Sequence, residues 1–234
     1  MSPLALVTGA AHRLGKAFAL TLARHGFDIV LHYHHSLDAA LQTRAEIESL
    51  SRRVTLAQAD LTDPAQTHSL LSHIDSLDVL VNSAAFMPSG NVDALSLENW
   101  GASLDLNLRA PFLLAREAAQ KMTEGGLIVN ITDVGAQKAW SRYPSYTVSK
   151  AALESLTKIL ARALAPRLRV NAIAPGFVLP SDSVPAGEWE RLIQRVPLKR
   201  PARAEEITSA LEFLMHNEYV TGQTIVVDGG YSLV

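Results

Sequence analysis

The sequence predicts an α/β fold, a doubly wound parallel sheet with helices on both faces, and three observations carry that prediction. Short runs rich in Val, Ile and Leu alternate with longer segments of helical period almost to the last residue, which is the pattern of βαβ units. Most of the short runs are continuously apolar, as strands covered on both faces must be. No composition shift, repeat or low-complexity linker divides the 234 residues, so one domain over residues 1–234 is the economical reading.

The opening Met-Ser-Pro-Leu-Ala-Leu-Val has no basic region and no small-residue cleavage pattern. It reads as a first strand, Leu4–Val7, rather than a targeting segment. Further strands are expected at Asp28–His32, Val54–Gln58, Val79–Val81, Leu127–Ile131, Val170–Ala174 and Thr224–Val227. Apolar residues three and four apart mark crossover helices at Arg13–His25, Ser36–Leu50, Pro64–Ile74, Leu97–Met122, Ser145–Leu164 and Ala204–His216. Pro64 suits a first helical turn, and Asp63 suits the cap before it. Phe177–Lys199 breaks this rhythm with three prolines and a short extra helix carrying Trp189. Insertions at the carboxyl ends of strands in open α/β sheets tend to cover the ligand crevice, so residues 177–199 are expected to form a substrate lid.

Lys and Arg number 21 against 23 Asp and Glu, a net charge of −2, with no long basic run. That leaves no electrostatic footprint for nucleic acid or an anionic membrane surface. No apolar stretch approaches the ~20 residues that cross a bilayer. The chain has no Cys, which excludes disulfides, thiolate nucleophiles and Cys-ligated metals, and a cytoplasmic setting is expected.

Strand, then Thr8-Gly9-Ala10-Ala11-His12-Arg13-Leu14-Gly15, then helix reads as the first βα turn of a dinucleotide fold. Small residues let the backbone approach a pyrophosphate, and the helix N-terminus offers unpaired N–H groups. A tight turn needs glycine in any case; the position after strand one favours the nucleotide reading. Where an acid would accept from the ribose hydroxyls of NAD, the second strand ends in His32-Tyr33-His34-His35-Ser36. No carboxylate there repels a 2′-phosphate, so NADPH is the expected cofactor, bound in part by His34, His35 and Ser36. A metal among the three His is disfavoured, because alternation along a strand splits neighbours between faces. A solvated loop is the plain alternative. Asp60-Leu61 would lie beside the adenine, or Asp60 would simply cap a turn.

Tyr146 and Lys150 stand four apart at the start of a helix and share one face. A phenol can protonate a substrate undergoing reduction, and a nearby ammonium is expected to lower its pKa from ~10. The preceding strand delivers Asp133 to the same sheet edge, and Asn107 is expected in the middle of the helix before it.

The Thr-Gly-x5-Gly turn, Asn82-Ser83-Ala84-Ala85, Asn107, Tyr146-x3-Lys150 and Pro175-Gly176 together resemble the short-chain dehydrogenase/reductase family over essentially the whole chain. That resemblance implies a single Rossmann-type domain with a seven-stranded parallel sheet and hydride transfer from the nicotinamide. It implies Tyr146 as general acid/base, Lys150 as its partner and as a ligand of the nicotinamide ribose, and Asn107 as holder of a relay water. Gly9, His12, Leu14, Gly15, Asn82, Ser83, Ala84, Pro175, Gly176 and Val178 would line the cofactor, and a homotetramer is implied.

Two departures point to a subgroup. The middle glycine of the family's turn is Arg13 here, and the family's catalytic Ser is Asp133. With the His-rich end of strand two, Trp189 and the C-terminal Val227-Asp-Gly-Gly-Tyr-Ser-Leu233, these resemble the pteridine reductases, in which the Arg is implied to reach the cofactor phosphate and the pterin. An ionised Asp repels the alkoxide formed when a carbonyl is reduced, whereas it can accept from the N–H groups of a pterin. The expected reaction is NADPH-dependent reduction of a pterin, extending to dihydrofolate. Arg13, Phe86, Asp133, Tyr143, Tyr146 and Trp189 are the expected substrate contacts, though Phe86, Tyr143 and Trp189 have ordinary packing roles as alternatives. A general carbonyl or alcohol oxidoreductase and a silent NADPH-binding regulator are the competing readings.

Overall fold

In the computed structural model, which describes residues 2–180 and 187–234, the chain opens with β1 (Leu4–Val7), α1 (Arg13–Arg24), β2 (Asp28–Tyr33), α2 (Leu37–Ser49) and β3 (Val54–Gln58). α3 (Pro64–Ser72), β4 (Leu77–Asn82), α4 (Leu97–Leu104), α5 (Ala110–Lys121) and β5 (Met122–Ile131) follow. The second half holds α6 (Gly135–Lys138), α7 (Pro144–Leu164), β6 (Leu168–Pro175), α8 (Glu188–Arg195), α9 (Ala204–His216) and β7 (Thr224–Val227). Residues 181–186 of the expected lid, and Met1 of the opening segment, lie outside the described residues.

Among the described residues the strands pair in the order β3-β2-β1-β4-β5-β6-β7, all parallel. The order reverses between β1 and β4, and it is outside the carboxyl ends of strands at such a switch point that open α/β sheets bind ligands. Side-chain alternation divides the core. Ala5 and Val7 of β1 join Phe18, Leu22 and Leu211 on one face, while Leu6 joins Leu71, Leu114 and Leu160 on the other. Both faces are therefore covered, which is why β2 reads as an unbroken buried run.

The segment expected as one helix, Leu97–Met122, is three. α4 ends at Leu104, Asp105–Arg109 forms a single wider π turn, and α5 begins at Ala110. In an uninterrupted α-helix the carbonyl of Asn107 would receive an N–H from residue 111, which is Pro and has none. The turn widens there, and Asn107 sits in the bulge rather than mid-helix. β5 starts five residues earlier than expected, at Met122 opposite Leu77, with a register shift before the main ladder. β4 and β6 also run longer than the apolar pattern marked, and α3 stops before Ile74. Pro64 does open α3, with Asp63 accepting from the Ala65 N–H. The four-residue α6 has no counterpart in the sequence reading.

Candidate active site

Two loops meet at the switch point, and one side chain ties them. The Thr8 hydroxyl oxygen accepts from the N–H groups of Ser83 and Ala84, at 2.9 and 3.0 Å. Gly9 has φ +64°, and a Cβ there would lie 3.0 Å from the Ala84 backbone. Glycine is thus required for that close approach. Gly15 is required for another reason: its Cβ would meet the Gly9 carbonyl at 2.1 Å, so the turn itself excludes a side chain.

Between the loops opens a cleft of about 1040 Å³ lined by Gly9, Arg13, Gly15, Ser83, Ala84 and Asp133, among others. His12, Leu14, His34, His35, Ser36, Asp60, Leu61, Phe86, Tyr143, Tyr146, Lys150, Pro175, Gly176, Val178 and Trp189 also face it. The sequence reading thus gathered nearly all of its site residues into one place. Asn82 and Asn107 lie behind the wall. The Asn82 amide donates to Asn130, which donates to Thr157, a buried brace between β4, β5 and α7. Asn107 accepts from the Phe86 N–H at 2.8 Å and donates to the Phe86 carbonyl at 2.8 Å and to Ser149 at 2.9 Å. Its side chain fixes the backbone of Phe86 rather than facing the cleft, because the π turn rotates it toward α7.

His32 was grouped with its neighbours in the sequence reading, and the structure separates it. The ring is buried beneath the glycine turn; Nδ1 accepts from the Gly9 N–H at 3.0 Å and Nε2 meets the Ala59 carbonyl at 3.1 Å. Burial holds its pKa down at about 4, so the ring is a neutral clasp joining β1, β2 and β3. The rings of His34 and His35 meet in the cleft with centroids 3.5 Å apart, tilted by 32°. Asp60 spends one oxygen on the Thr62 N–H and hydroxyl, at 2.9 and 2.7 Å, while the other lies 3.9 Å from His34. Among the described residues no three His, Asp or Glu side chains converge as a metal requires.

The turn fits a dinucleotide phosphate. Within the described residues the N–H groups of Leu14 and Gly15, at the open end of α1, meet no acceptor, and the cleft wall at the end of β2 carries imidazoles and a hydroxyl. Arg13 does not point at that turn. With φ +54°, it donates to the carbonyls of Pro180 at 2.9 Å and Leu179 at 3.1 Å, and so fastens the segment after β6 to the glycine turn.

At the reacting end, α7 presents Tyr146 from its first turn, with Pro144 opening the helix. The Tyr146 hydroxyl donates to Asp133 Oδ2 at 2.8 Å, and the Gly135 N–H donates to Oδ1 at 2.7 Å. Burial pushes the Asp133 carboxyl up to about 6 against those hydrogen bonds and the charge of Lys150. Lys150 is also buried, which brings its ammonium down to about 8; Nζ donates to the Ile131 carbonyl at 2.7 Å and stands 5.6 Å over the Tyr146 ring. The phenol was expected below its ordinary pKa. It lies well above it, because burial and then the neighbouring carboxylate oppose the phenolate.

Sequence reasoning missed Trp140, which stacks on Phe177 at 6.3 Å and lines the cleft. Trp189 meets Phe177 edge-on at 5.7 Å. Trp140 follows Ala139, held at φ +50°, and an aromatic just before the Tyr143–Tyr146 pair was the available signal. Arg142 and Arg195 also line the cleft and were not anticipated.

The family described as enoyl-(acyl carrier protein) reductase matches residues 9–232. A 3-oxoacyl-[acyl-carrier-protein] reductase of Synechocystis sp. is 36% identical over 97% of this chain and 96% of its own length. The NADP complex of FolM alternative dihydrofolate reductase 1 from Brucella canis superposes with a TM-score of 0.92 at 36% identity, covering 99% of this chain and 94% of the other. The angucycline C-6 ketoreductase LanV with bound NADP gives 0.94 at 28% identity, covering 99% and 96%.

Proposed function

Because this chain belongs to the short-chain dehydrogenase/reductase family and is an NADP-dependent oxidoreductase, we propose that it reduces pterins, including dihydrofolate, rather than carbonyls. The observation that carries this reading is the 2.8 Å hydrogen bond from Tyr146 to a half-buried Asp133 in the cleft wall. A carbonyl reductase needs a neutral donor where negative charge develops on oxygen, and a carboxylate in that place works against it. A C=N bond accepts its proton on nitrogen, and the amino and ring N–H groups of a pterin give a carboxylate something to accept from. The resemblance to a structure described as an alternative dihydrofolate reductase supports the same choice. The names of the Synechocystis and LanV proteins favour a 3-oxoacyl or ketone substrate instead, and this is the second reading.

When bound, NADPH supplies the hydride for the carbon of the C=N bond. The chain's own residues handle the proton. Tyr146 Oη holds it, since burial keeps the phenol protonated at all ordinary pH, and gives it to the nitrogen. Asp133, near neutrality at about 6, takes a proton from solvent and returns it to the phenol along their shared hydrogen bond. Lys150 stays mostly protonated below its pKa of about 8 and stabilises the transient phenolate. Phe86, its backbone pinned by Asn107, offers a ring to one face of a flat heterocycle.

Oxidation of NADPH with dihydrobiopterin and dihydrofolate, set against acetoacetyl-coenzyme A and a ketone panel, tests the proposal. Turnover of pterins is expected; turnover of ketones or thioesters alone rejects it. A homotetramer is part of the same reading, supported by Leu97, Phe112, Val148 and Ile159 standing exposed on α4, α5 and α7.

A further inference from the structure

We propose that α8 carries a subsite for an anionic substrate tail, so that a pterin conjugated through an aromatic linker to carboxylates is preferred over an unconjugated one. This rests on the pterin reading above and deepens it.

α8 turns one face to the cleft: Glu188, Trp189, Leu192 and Arg195 all line it. These positions are spaced three, four and seven apart, one stripe of the helix. Ile193 turns inward instead and is buried, and Glu190 and Arg191 do not line the cleft. Along that stripe an indole and a leucine give a flat apolar surface, and a guanidinium follows at the end of the helix. Trp189 is braced edge-on by Phe177, which makes the apolar part firm. An aromatic ring followed by carboxylates is the complementary shape.

The charges near the stripe agree. Arg142, also lining the cleft, is held by Glu188 at 2.9 Å, so the acid of this stripe is already paired. Arg13 is engaged by the carbonyls of Leu179 and Pro180. Asp133 stands at the reacting end with Tyr146 and Gly135, away from this stripe. Arg195 makes no ion pair among the described residues, and it is the cation on this wall left to meet an anion. Guanidinium pairs with carboxylate by two parallel N–H donations, a geometry that specifies its partner. A phosphate-bearing thioester arm shares the negative charge and is distinguished by the test.

Steady-state kinetics of Arg195→Ala and Arg195→Lys, on the full chain with NADPH, decide the matter. With dihydrofolate, Arg195→Ala is expected to raise KM roughly tenfold to a hundredfold, as loss of a charge-assisted pair does, and Arg195→Lys to recover part of it. KM for dihydrobiopterin and Kd for NADPH are expected to stay within about twofold of the native values. An equal rise with both pterins, or none with dihydrofolate, overturns the subsite while leaving pterin reduction intact. A KM rise confined to acetoacetyl-coenzyme A assigns Arg195 to a phosphate and overturns it too. If the native protein reduces neither pterin, the functional reading itself falls, which is a separate result.

Discussion

Asp133 and Tyr146 are coupled so that each opposes ionisation of the other: the carboxylate raises the phenol, and burial raises the carboxylate. A phenol held protonated is a store of one proton, and its usefulness depends on how fast that proton is replaced. Asp133 can supply it only while protonated, so kcat for pterin reduction is expected to fall as pH rises through about 6. Measured between pH 5 and 8, the native enzyme should show this limb and Asp133→Ser should lose it, with a pterin rate lower by roughly a hundredfold to ten-thousandfold, the scale of one lost general acid–base group. Unchanged Kd for NADPH in the same variant separates chemistry from cofactor binding. Equal pterin rates in variant and parent would remove Asp133 from the mechanism. This pair was legible only through the family resemblance, which implies a Ser where residue 133 is Asp. Its protonation was not readable, because that depends on how far the fold withdraws the carboxyl from solvent. The same holds for Lys150, whose four-residue spacing from Tyr146 was plain while its hydrogen bond to the Ile131 carbonyl was hidden.

At the level of elements, loops rather than strands decide what binds. The end of β2 and the start of α2 present His34, His35 and Ser36 to the cleft, and Ser36 caps α2 without a side-chain hydrogen bond, so its hydroxyl is available to a phosphate. Ser36→Asp places a carboxylate there. It is expected to weaken NADPH at least tenfold and to leave NADH nearly unchanged, measured by fluorescence titration; parallel losses would mean that this loop does not read the 2′-phosphate. Arg13 joins two elements far apart in sequence, α1 and the segment after β6. Arg13→Ala is expected to speed hydrogen exchange of the Phe177–Leu179 amides, and identical exchange would show that the link carries no stability. Continuous apolar runs made the strands legible, since burial on both faces leaves its mark on every residue. The π turn at Asp105–Arg109 left only Pro111 as a sign, and the Arg13 link left none, because a side chain bonded to distant carbonyls has no periodicity.

For the molecule as a whole, His32 and Asp133 make opposite demands on pH. His32 clasps three strands as a neutral ring, with a folded pKa of about 4 against an ordinary 6.5. The unfolded chain therefore binds the proton more readily, and the fold loses stability as pH drops from about 6.5 to about 4, on the order of 3 kcal/mol in all. Asp133 has a folded value of about 6 against an ordinary 3.8. Here the folded state holds the proton more tightly, and stability is lost as pH rises from about 4 to about 6, again on the order of 3 kcal/mol. Between pH 4 and 6 the two slopes run against each other, so the parent should show little pH dependence from this pair. Removing either group uncovers the other. Asp133→Asn should gain stability relative to the parent as pH rises from 4 to 7, since an amide has no charge to bury, and should show the acid loss due to His32 in full. His32→Gln, which keeps an acceptor and a donor near Gly9 and Ala59, should gain relative to the parent as pH falls from 6.5 to 4. Urea unfolding midpoints at half-unit pH steps measure both differences directly. Curves for Asp133→Asn that run parallel to the parent across this range would show that the carboxyl is not held up by burial, and the proton supply assigned to it would go with it.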